Sequence, residues 1–243
     1  MDLGISGKRA AVAAASQGLG RATAAALAAE GVQVAICSRP QDKIEAAAAG
    51  IPGAIPLVAD VSTEAGAAQF VRDARDALGG VDILVANGGG PPAGTFASTD
   101  LALYSQAFEA NCLAVVAMCL EAVPAMQAQR WGRVLAITSV SVRQPIPALI
   151  LSNTARAGVT GFLKTLAREV AADGVTANSI QPGSHDTERI RSLRGDAGGD
   201  GSRGRIGDPD DFGRIAAFLC SESAKFVTGA AVNVDGGAYQ GLQ

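Results

Sequence analysis

The sequence predicts an α/β fold: one doubly wound parallel sheet of about seven strands with helices on both faces. Two observations support this prediction. Short apolar runs alternate with longer Ala- and Leu-rich segments, and in these longer segments apolar residues recur every three or four positions, as they do in helices. Strands that alternate with helices of this length are joined by right-handed crossovers, which place helices on both faces of a parallel sheet.

The individual elements follow from these runs in chain order. The candidate strands are residues 9–14, 32–38, 54–59, 82–86, 133–138, 176–181 and 231–235. The candidate helices are residues 19–29, 63–78, 101–129, 151–172 and 209–221. Residues 184–208 are rich in Gly and Arg and lack apolar periodicity, so we expect a mobile substrate lid there rather than an element. The prediction is one Rossmann-type domain over residues 1–243.

Composition narrows the possible functions. A chain of 243 residues with 48% hydrophobic and 18% charged residues is sufficient for one domain with a full core. The formal net charge is -3 with only 20 Lys and Arg, which argues against nucleic acid as a partner. The sequence shows neither a signal-peptide pattern nor a long uninterrupted apolar run, so we expect no membrane association and a cytoplasmic location.

Four cysteines are scattered through apolar stretches without C-x-x-C spacing. They are Cys37, Cys112, Cys119 and Cys220. In a cytoplasmic chain this pattern favours buried free thiols over a disulfide framework or a metal site. We therefore expect no metal.

A glycine-containing turn follows the first candidate strand. Residues 13–21 read Ala-Ala-Ala-Ser-Gln-Gly-Leu-Gly-Arg and pass directly into an Ala-rich helix. Backbone N–H groups at a helix N-terminus attract anions, and glycine lets a pyrophosphate approach them closely. The turn therefore predicts a nucleotide site; the alternative is a tight strand–helix turn in which Gly18 and Gly20 serve packing alone.

Further motifs occur in the order and spacing of one protein family. They are Gly18-Leu19-Gly20, Asp60-Val61, Ala86-Asn87-Gly88-Gly89, Asn111, Ile137-Thr138-Ser139, Pro182-Gly183 with Thr187, Val227-Thr228-Gly229, and Val234-Asp235-Gly236-Gly237. With these motifs the chain resembles the short-chain dehydrogenase/reductase family over nearly its whole length. It is most similar to the branch of bacterial 3-oxoacyl-[acyl-carrier-protein] reductases.

The resemblance implies a dinucleotide groove. Its residues would be Ser16, Gln17, Gly18, Leu19 and Gly20 along the pyrophosphate, Asp60 and Val61 at the adenine, Asn87 and Gly88 at the adenosine ribose, and Gly183 and Thr187 beside the nicotinamide carboxamide. One departure weakens this groove, because Ala14 stands where the family has its first glycine. Alanine adopts positive φ only with strain, so we expect weakened cofactor binding or a changed pose.

The end of the second strand indicates which dinucleotide is bound. Ser38 and Arg39 stand there, where a carboxylate would accept a hydrogen bond from the ribose 2'-hydroxyl of NAD(H). A hydroxyl and a guanidinium suit a 2'-phosphate better. NADP(H) is therefore preferred over NAD(H); the alternative is that Arg39 is an ordinary solvated charge.

The catalytic positions depart further from the family pattern of Asn, Ser, Tyr and Lys. Asn111 and Ser139 match, whereas Ser152 stands at the Tyr position and Arg156 at the Lys position. Ser152 and Arg156 are four residues apart and share a helix face. A serine is a far poorer acid than such a tyrosine, and an arginine does not relay protons at ordinary pH. Ser139 and Ser152 can still stabilise an oxyanion; alternatively, they satisfy nearby backbone groups.

His185 is the one histidine of the chain and follows the Pro-Gly motif at the start of the lid. An imidazole with a pKa near neutrality is a candidate replacement acid, although a loop histidine is more often solvated. Five lid arginines are candidates for steering an anionic or carrier-bound substrate, or they serve solubility alone. They are Arg189, Arg191, Arg194, Arg203 and Arg205.

Three functions remain open at this point. The preferred one is an atypical NADP(H)-dependent oxidoreductase acting on a carbonyl or hydroxyl group of a small molecule, with the proton from His185, Ser139 or water. The others are a redox-inactive relative that catalyses cyclisation, dehydration or isomerisation in the same pocket, and a non-catalytic dinucleotide-binding protein. The resemblance also implies a homotetramer assembled through residues 101–129 and 151–172.

Overall fold

A computed structural model describes residues 1–196 and 205–242. Within these ranges seven parallel strands form one sheet in the order β3-β2-β1-β4-β5-β6-β7. The strands are β1 (Arg9–Val12), β2 (Gln33–Ser38), β3 (Ile55–Val58), β4 (Ile83–Ala86), β5 (Gly132–Ile137), β6 (Val175–Pro182) and β7 (Ala231–Val234). Every predicted strand is therefore found, with small differences at the ends.

The helices cover both faces of this sheet, which confirms the doubly wound fold class. In the described residues they are α1 (Gly18–Ala29), α2 (Gln41–Ala49), α3 (Glu64–Leu78), α4 (Leu101–Phe108), α5 (Ala114–Ala128), α6 (Ile150–Val170), α7 (Glu188–Asp196) and α8 (Pro209–Leu219). Helices α1, α2 and α8 pack on one face, and helices α3, α5 and α6 pack on the other. Two apolar cores result, one on each side of the sheet.

The central strands supply side chains to both cores because successive residues of a strand point to opposite faces. In β2, Val34 and Ile36 join the core beneath α1 and α8, whereas Ala35 and Cys37 join the core beneath α3 and α5. Strands buried on both faces are apolar at every position, as parallel sheets require. This explains why the sequence shows continuous apolar runs rather than alternation.

Helix α2 was not predicted. Its buried face consists of Ile44, Ala47 and Ala48, and the other positions are polar or alanine. Such a short helix has too few large apolar residues to show a clear helical period. Pro40 precedes the helix in an extended conformation, and Gly50 ends it.

The predicted helix at residues 101–129 is interrupted. Helices α4 and α5 are separated by a π-helical turn over Glu109–Leu113, which widens the helix at Asn111. Single π turns inside α-helices are frequent at functional sites. The combined run Leu101–Ala128 is long and apolar enough to cross a membrane by length and composition alone, but half of its most apolar window is buried within the fold.

The segment predicted to be a mobile lid contains helix α7, so the expectation of a segment without an element is corrected for this part of the chain. The helix was missed because its residues are mostly charged and show no apolar face. A backbone bridge between His185 and Gly207 joins the two ends of the segment. The remaining lid residues 197–204 lie outside the described ranges, and mobility of the segment stays a prediction.

The strand order creates a crevice at the carboxyl edge of the sheet. From β1 the chain proceeds outward to β2 and β3, and then returns to pair β4 with the other side of β1. Open α/β sheets bind ligands where the strand order reverses in this way. Predicted site residues lie at the carboxyl ends of strands β1 to β6, so the fold brings them to this edge of the sheet.

Candidate active site

The turn between β1 and α1 contains two residues with a left-handed backbone. Gly18 has a φ of 58° and Ala14 has a φ of 47°. Glycine adopts this conformation freely, whereas the Cβ of alanine makes it strained. The carbonyl oxygen of Ala14 accepts a hydrogen bond from Asn87 Nδ2 at 3.1 Å, which ties the turn to the end of β4. The backbone at Ala14 therefore has the positive φ for which glycine is suited, as the sequence indicated.

Helix α1 begins with backbone donors that no described residue accepts. The side chain of Gln17 at the N-cap makes no capping hydrogen bond. The first intrahelical bond runs from the N–H of Arg21 to the carbonyl of Gln17 at 3.3 Å, and the N–H groups of Gly18, Leu19 and Gly20 have no acceptor among the described residues. Donors exposed in this way at a helix start bind anions such as a pyrophosphate.

Two of the predicted cofactor glycines are required for close packing. A Cβ on Gly20 would lie 2.7 Å from both the carbonyl oxygen of Ala14 and Nδ2 of Asn87. A Cβ on Gly183 would lie 2.8 Å from the Cα of Asp235. These distances are too short for any side chain, so both glycines hold the loops of the crevice together whether or not a cofactor is present.

The start of α7 stands over the glycine turn. A Cβ on Gly18 would lie 3.5 Å from Cγ2 of Thr187, which is van der Waals contact. The N–H of Thr187 donates to the carbonyl oxygen of His185 at 2.7 Å. Gly88 follows β4 at the same edge and is half-buried. The structure therefore brings Gly18 and Thr187, which are distant in sequence, to one side of the crevice.

The ends of β2 and β3 present the residues expected at the adenosine half of the cofactor. Ser38 is buried and its hydroxyl donates to a backbone carbonyl two residues further on at 3.2 Å, while Arg39 is exposed. Asp60 accepts hydrogen bonds from the backbone and hydroxyl of Ser62, and these bonds, with the charge of Arg39, lower the pKa of its carboxyl group. Val61 is buried in the core beneath α3.

Three side chains predicted for catalysis lie where β5 ends against α6. Ser139 follows β5, and its Oγ accepts the N–H of Ser141 at 3.1 Å. Ser152 lies one turn before Arg156 on α6, is 9% exposed, and makes no hydrogen bond to any described residue. Nη1 of Arg156 donates to the carbonyl oxygen of Ile137 at 2.8 Å. The guanidinium thus fixes α6 to the carboxyl end of β5.

The charged side chain of Arg156 is almost completely buried. Burial, and to a smaller extent the positive charge of Arg189, lowers the pKa of Arg156 to about 10. The group is still positively charged at neutral pH, because this value lies well above 7. Arg189 extends from α7 across the crevice, and its Nη2 donates to the carbonyl oxygen of Pro91 at 2.7 Å. Among the lid arginines with described side chains, Arg189 is therefore the one that reaches this site.

Asn111 lies on the π turn that packs against α6. Its Nδ2 donates to the carbonyl oxygen of Ala107 at 3.3 Å, while its Oδ1 is buried and accepts no hydrogen bond from any described residue. An unpaired buried acceptor costs about 1–3 kcal/mol, so such a group calls for a functional explanation. The predicted catalytic position of Asn111 provides one.

His185 occupies a packing position. Its ring is 4% exposed, meets the ring of Phe212 edge-on at 5.1 Å, and has Nδ1 at 3.3 Å from the carbonyl oxygen of Gly183. Burial lowers the pKa of His185, partly offset by Gly183 and by the charge of Asp208, so the ring is neutral at pH 7. No described contact joins it to Ser139. Its role as a replacement acid stays a prediction that this placement does not support.

The four cysteines are free and buried, as predicted. Burial raises the pKa of the thiols of Cys37, Cys119 and Cys220 to about 12. Burial also raises the pKa of Cys112, which lies on the π turn. None of these thiols is a nucleophile at neutral pH, because the thiolate is the reactive form.

A doubly wound parallel sheet with a glycine turn after β1 and polar side chains at the carboxyl edge is the architecture of the Rossmann-type α/β class. Comparison with known proteins gives the family. The sequence model of a family described as Enoyl-(Acyl carrier protein) reductase matches residues 13–239. The chain belongs to the short-chain dehydrogenase/reductase family, and the relatives that identify the family are reductases and dehydrogenases.

Individual relatives cover nearly the whole chain. The 3-oxoacyl-[acyl-carrier-protein] reductase FabG of Escherichia coli (strain K12) is 33% identical over 239 residues, 96% of this chain and 98% of the relative. The crystal structure of L-sorbose reductase from Gluconobacter frateurii, complexed with NADPH and L-sorbose, superposes with a TM-score of 0.91 at 31% identity and covers 100% of both chains. A 7α-hydroxysteroid dehydrogenase complexed with NADH and 7-oxo glycochenodeoxycholic acid gives a TM-score of 0.88 at 26% identity, covering 100% of this chain and 98% of the other.

Proposed function

We propose that the protein is an atypical NADP(H)-dependent oxidoreductase that acts on a carbonyl or hydroxyl group of a small-molecule substrate. The observation that carries this proposal is the set of unpartnered N–H groups at the start of α1. They suit a pyrophosphate, and they lie in the crevice where the strand order reverses. Solved relatives that bind NADPH or NADH support a nicotinamide dinucleotide as the cofactor.

The cofactor, when bound, supplies or accepts a hydride at the substrate carbon. Residues of this chain would hold the cofactor, each at the place that the family resemblance assigns to it. These are Ser16, Gln17, Gly18, Leu19 and Gly20 for the pyrophosphate, Asp60, Val61, Asn87 and Gly88 for the adenosine half, and Gly183 and Thr187 for the nicotinamide end. The helix-start donors, which no described residue accepts, and the position of Thr187 near Gly18 support this arrangement.

The preference for NADP(H) rests on the end of β2. No carboxylate follows β2 to accept a hydrogen bond from a ribose 2'-hydroxyl, and the exposed guanidinium of Arg39 is available to a 2'-phosphate. Ser38 is buried and donates its hydroxyl proton to the carbonyl oxygen of Pro40, so in this arrangement it offers no donor to a 2'-phosphate, and the preference depends on Arg39. The charge of Asp60 near Arg39 limits the preference, because it partly neutralises the guanidinium.

The site is atypical in how it handles the proton. Ser152 and Arg156 stand where the family resemblance aligns a tyrosine and a lysine, and each unit of pKa mismatch in an acid is worth about 1.4 kcal/mol. Arg156 stays charged and its guanidinium is fixed on the carbonyl oxygen of Ile137, so in this proposal it positions neighbouring groups and does not transfer a proton. In this proposal the hydroxyls of Ser139 and Ser152 donate to the developing oxyanion, and the proton comes from Ser139 or water, because the placement of His185 does not support it as the acid.

A second function uses the same pocket without redox chemistry. The free hydroxyl of Ser152 and the fixed charge of Arg156 can polarise a substrate, which suits cyclisation, dehydration or isomerisation. The strained Ala14 in the glycine turn favours this alternative, because weak binding of the dinucleotide matters less to an enzyme that needs no hydride. A non-catalytic dinucleotide-binding protein is the third possibility.

Assembly and location follow from the same family membership. We propose a homotetramer formed through the faces of α4, α5 and α6, because Leu101, Leu113 and Leu120 expose 81%, 43% and 72% of their surface on this side. Carrier-bound substrates are compatible with similarity to FabG. We propose a cytoplasmic location and no nucleic-acid or membrane partner.

Calorimetric titration of the purified chain with NADPH and with NADH tests the proposal. We expect micromolar binding of NADPH and weaker binding of NADH. Arg39→Gln should lower the NADPH affinity roughly tenfold and leave NADH unchanged, because a charge-assisted hydrogen bond is worth about 1.5–3 kcal/mol. The matched control Arg168→Gln removes an exposed charge from α6 and should change neither affinity.

Equal or tighter binding of NADH would refute the NADP(H) preference. If the folded protein binds neither dinucleotide, the glycine turn does not accept a pyrophosphate, and the redox-free alternative replaces the proposal. Binding without turnover of any carbonyl or hydroxyl compound would instead favour the non-catalytic alternative.

A further inference from the structure

Two arginines from different helices converge at the carboxyl ends of neighbouring strands. Arg156 on α6 donates to Ile137, the last residue of β5, and Arg189 on α7 donates to Pro91, in the segment after β4. Strands β4 and β5 are hydrogen-bonded neighbours, so these two anchor points face the same crevice. Burial lowers the pKa of Arg156, and the positive charge of Arg189 adds to this effect.

No acidic side chain among the described residues forms an ion pair with either guanidinium. By contrast, Arg191 on the next part of α7 pairs with Asp186 at 2.8 Å, and Arg9 pairs with Asp82 at 2.7 Å. Arg156 is 8% exposed, and an uncompensated cation that is nearly buried is costly, whereas Arg189 is exposed to solvent. An anion bound beside Arg156 would offset the cost of burying its charge.

The two guanidinium groups have donors to spare. A guanidinium carries five N–H donors in a planar fork. Each of these arginines donates to one acceptor among the described residues, a backbone carbonyl in both cases. The backbone bonds hold the side chains in place, and the remaining donors match the oxygens of a carboxylate or a phosphate.

We propose that Arg156 and Arg189 together bind an anionic group of the substrate, a carboxylate or a phosphate, beside Ser139 and Ser152. The inference rests on the proposed function for the reacting carbonyl or hydroxyl, but it assigns the anion site without reference to hydride transfer. Arg156 then takes a role that a proton-relaying lysine does not need, because its planar fork and permanent charge suit recognition. The substrate carries its anionic group close to the reacting carbon, since Arg156 and Ser152 are one helical turn apart.

Calorimetric titration tests the inference. The full chain is titrated with malonate, with inorganic phosphate and with malonamide, the neutral analogue of malonate. Each titration is made without dinucleotide and again with saturating NADPH, which fills the pyrophosphate cradle and leaves the substrate end of the crevice. We expect one of the two anions to bind in both conditions and malonamide not to bind. Tighter binding of malonate would assign a carboxylate, and tighter binding of phosphate would assign a phosphate group.

Three variants locate the anion. Arg189→Gln should weaken anion binding at least tenfold and leave NADPH affinity unchanged. Arg156→Lys keeps the charge but loses the fork, and it should weaken malonate several-fold even when its circular dichroism matches that of the unaltered chain. Arg168→Gln, an exposed α6 charge, is the matched control and should have no effect. Binding to malonate should vary little between pH 7 and pH 9, because the pKa of Arg156, although lowered to about 10 by burial, still lies above this range.

The outcomes separate this inference from the proposed function. If neither anion binds, or if an anion binds Arg189→Gln as tightly as the unaltered chain, the inference is overturned. NADPH binding in the same protein would still leave the proposed function standing. Conversely, anion binding that depends on Arg189 without any NADPH binding would support the site and refute the oxidoreductase.

Discussion

Ala14 shows how one side chain can alter a cofactor site. Its φ of 47° is a conformation that costs an L-residue roughly 1–2 kcal/mol. The residue cannot leave this conformation easily, because its carbonyl oxygen accepts from Asn87 and lies 2.7 Å from where a Cβ on Gly20 would be. The strain is therefore held by the contacts between β1, α1 and β4.

Replacing Ala14 by glycine should relieve that strain. We expect Ala14→Gly to raise the free energy of unfolding by roughly 0.5–1 kcal/mol, the strain relieved less the entropy cost of glycine, and to tighten NADPH binding. Urea unfolding and calorimetric titration measure the two effects. Ala148→Gly is a matched control, because Ala148 has a φ of 60° and lies outside the glycine turn; it should stabilise the chain without changing NADPH affinity. An equal change in NADPH affinity in both variants would contradict this explanation.

At the residue scale, the sequence could predict which side chains are neighbours when their spacing along one helix decides it. Ser152 and Arg156 lie one turn apart, so their common helix face could be predicted. The approach of Arg189 to Arg156 could not, because it depends on where α7 docks, and α7 itself lacked a visible apolar period. The burial of His185 was missed for a similar reason: Gly207 at the far end of the lid and Phe212 on α8 enclose its ring.

At the scale of elements, the approach of α8 to α1 depends on a glycine. A Cβ on Gly213, in the middle of α8, would lie 2.4 Å from the carbonyl oxygen of Ala22 on α1. Phe212 beside it is fully buried and Leu27 on α1 belongs to the same core. The two helices therefore pack with their backbones in near contact, which a larger residue prevents.

Substitution of this glycine should separate the helices. Gly213→Ala is expected to lower the free energy of unfolding by about 1–3 kcal/mol, because overpacking outweighs the better helix propensity of alanine. Gly161→Ala on α6 is the matched control, since a Cβ there meets nothing within 4 Å, and it should stabilise by up to about 1 kcal/mol. Urea unfolding at one fixed protein concentration makes the comparison. Equal effects of the two substitutions would show that helix propensity, not contact, decides.

Most elements were predictable because buried parallel strands are continuous apolar runs between amphipathic helices. The exceptions have physical reasons. Helix α2 buries only Ile44, Ala47 and Ala48, so alanines conceal its period. The π turn at Glu109–Leu113 inserts one residue into an otherwise regular helix, and its position is fixed by contact with α6 rather than by local propensity.

At the scale of the whole molecule, exposed apolar side chains on the α4–α5 side bear on assembly. Leu120 on α5 is 72% exposed, although the opposite face of the same helix is buried. Exposed large apolar side chains of this kind occur at interfaces between subunits, which supports the proposed self-association through this side of the molecule.

A charge on this surface should disrupt assembly. We expect Leu120→Lys to convert a tetramer, with a mass of about four times 24.3 kDa, into smaller species, because an interfacial charge is desolvated without a partner. Size-exclusion chromatography with light scattering measures the mass. Val58→Lys is the matched control at the outer strand β3, where Val58 is 56% exposed, and it should keep the assembly intact. A monomer for the unaltered chain would contradict the proposed tetramer.

The buried cysteines make the whole chain a favourable host for site-specific labelling. With thiol pKa values raised to about 12 at Cys37, Cys119 and Cys220, the natural thiols react slowly with maleimides at neutral pH. A cysteine introduced at the exposed Ser192 on α7 would react in preference to them. A single fluorophore could then follow α7 during ligand binding, with every native cysteine left in place.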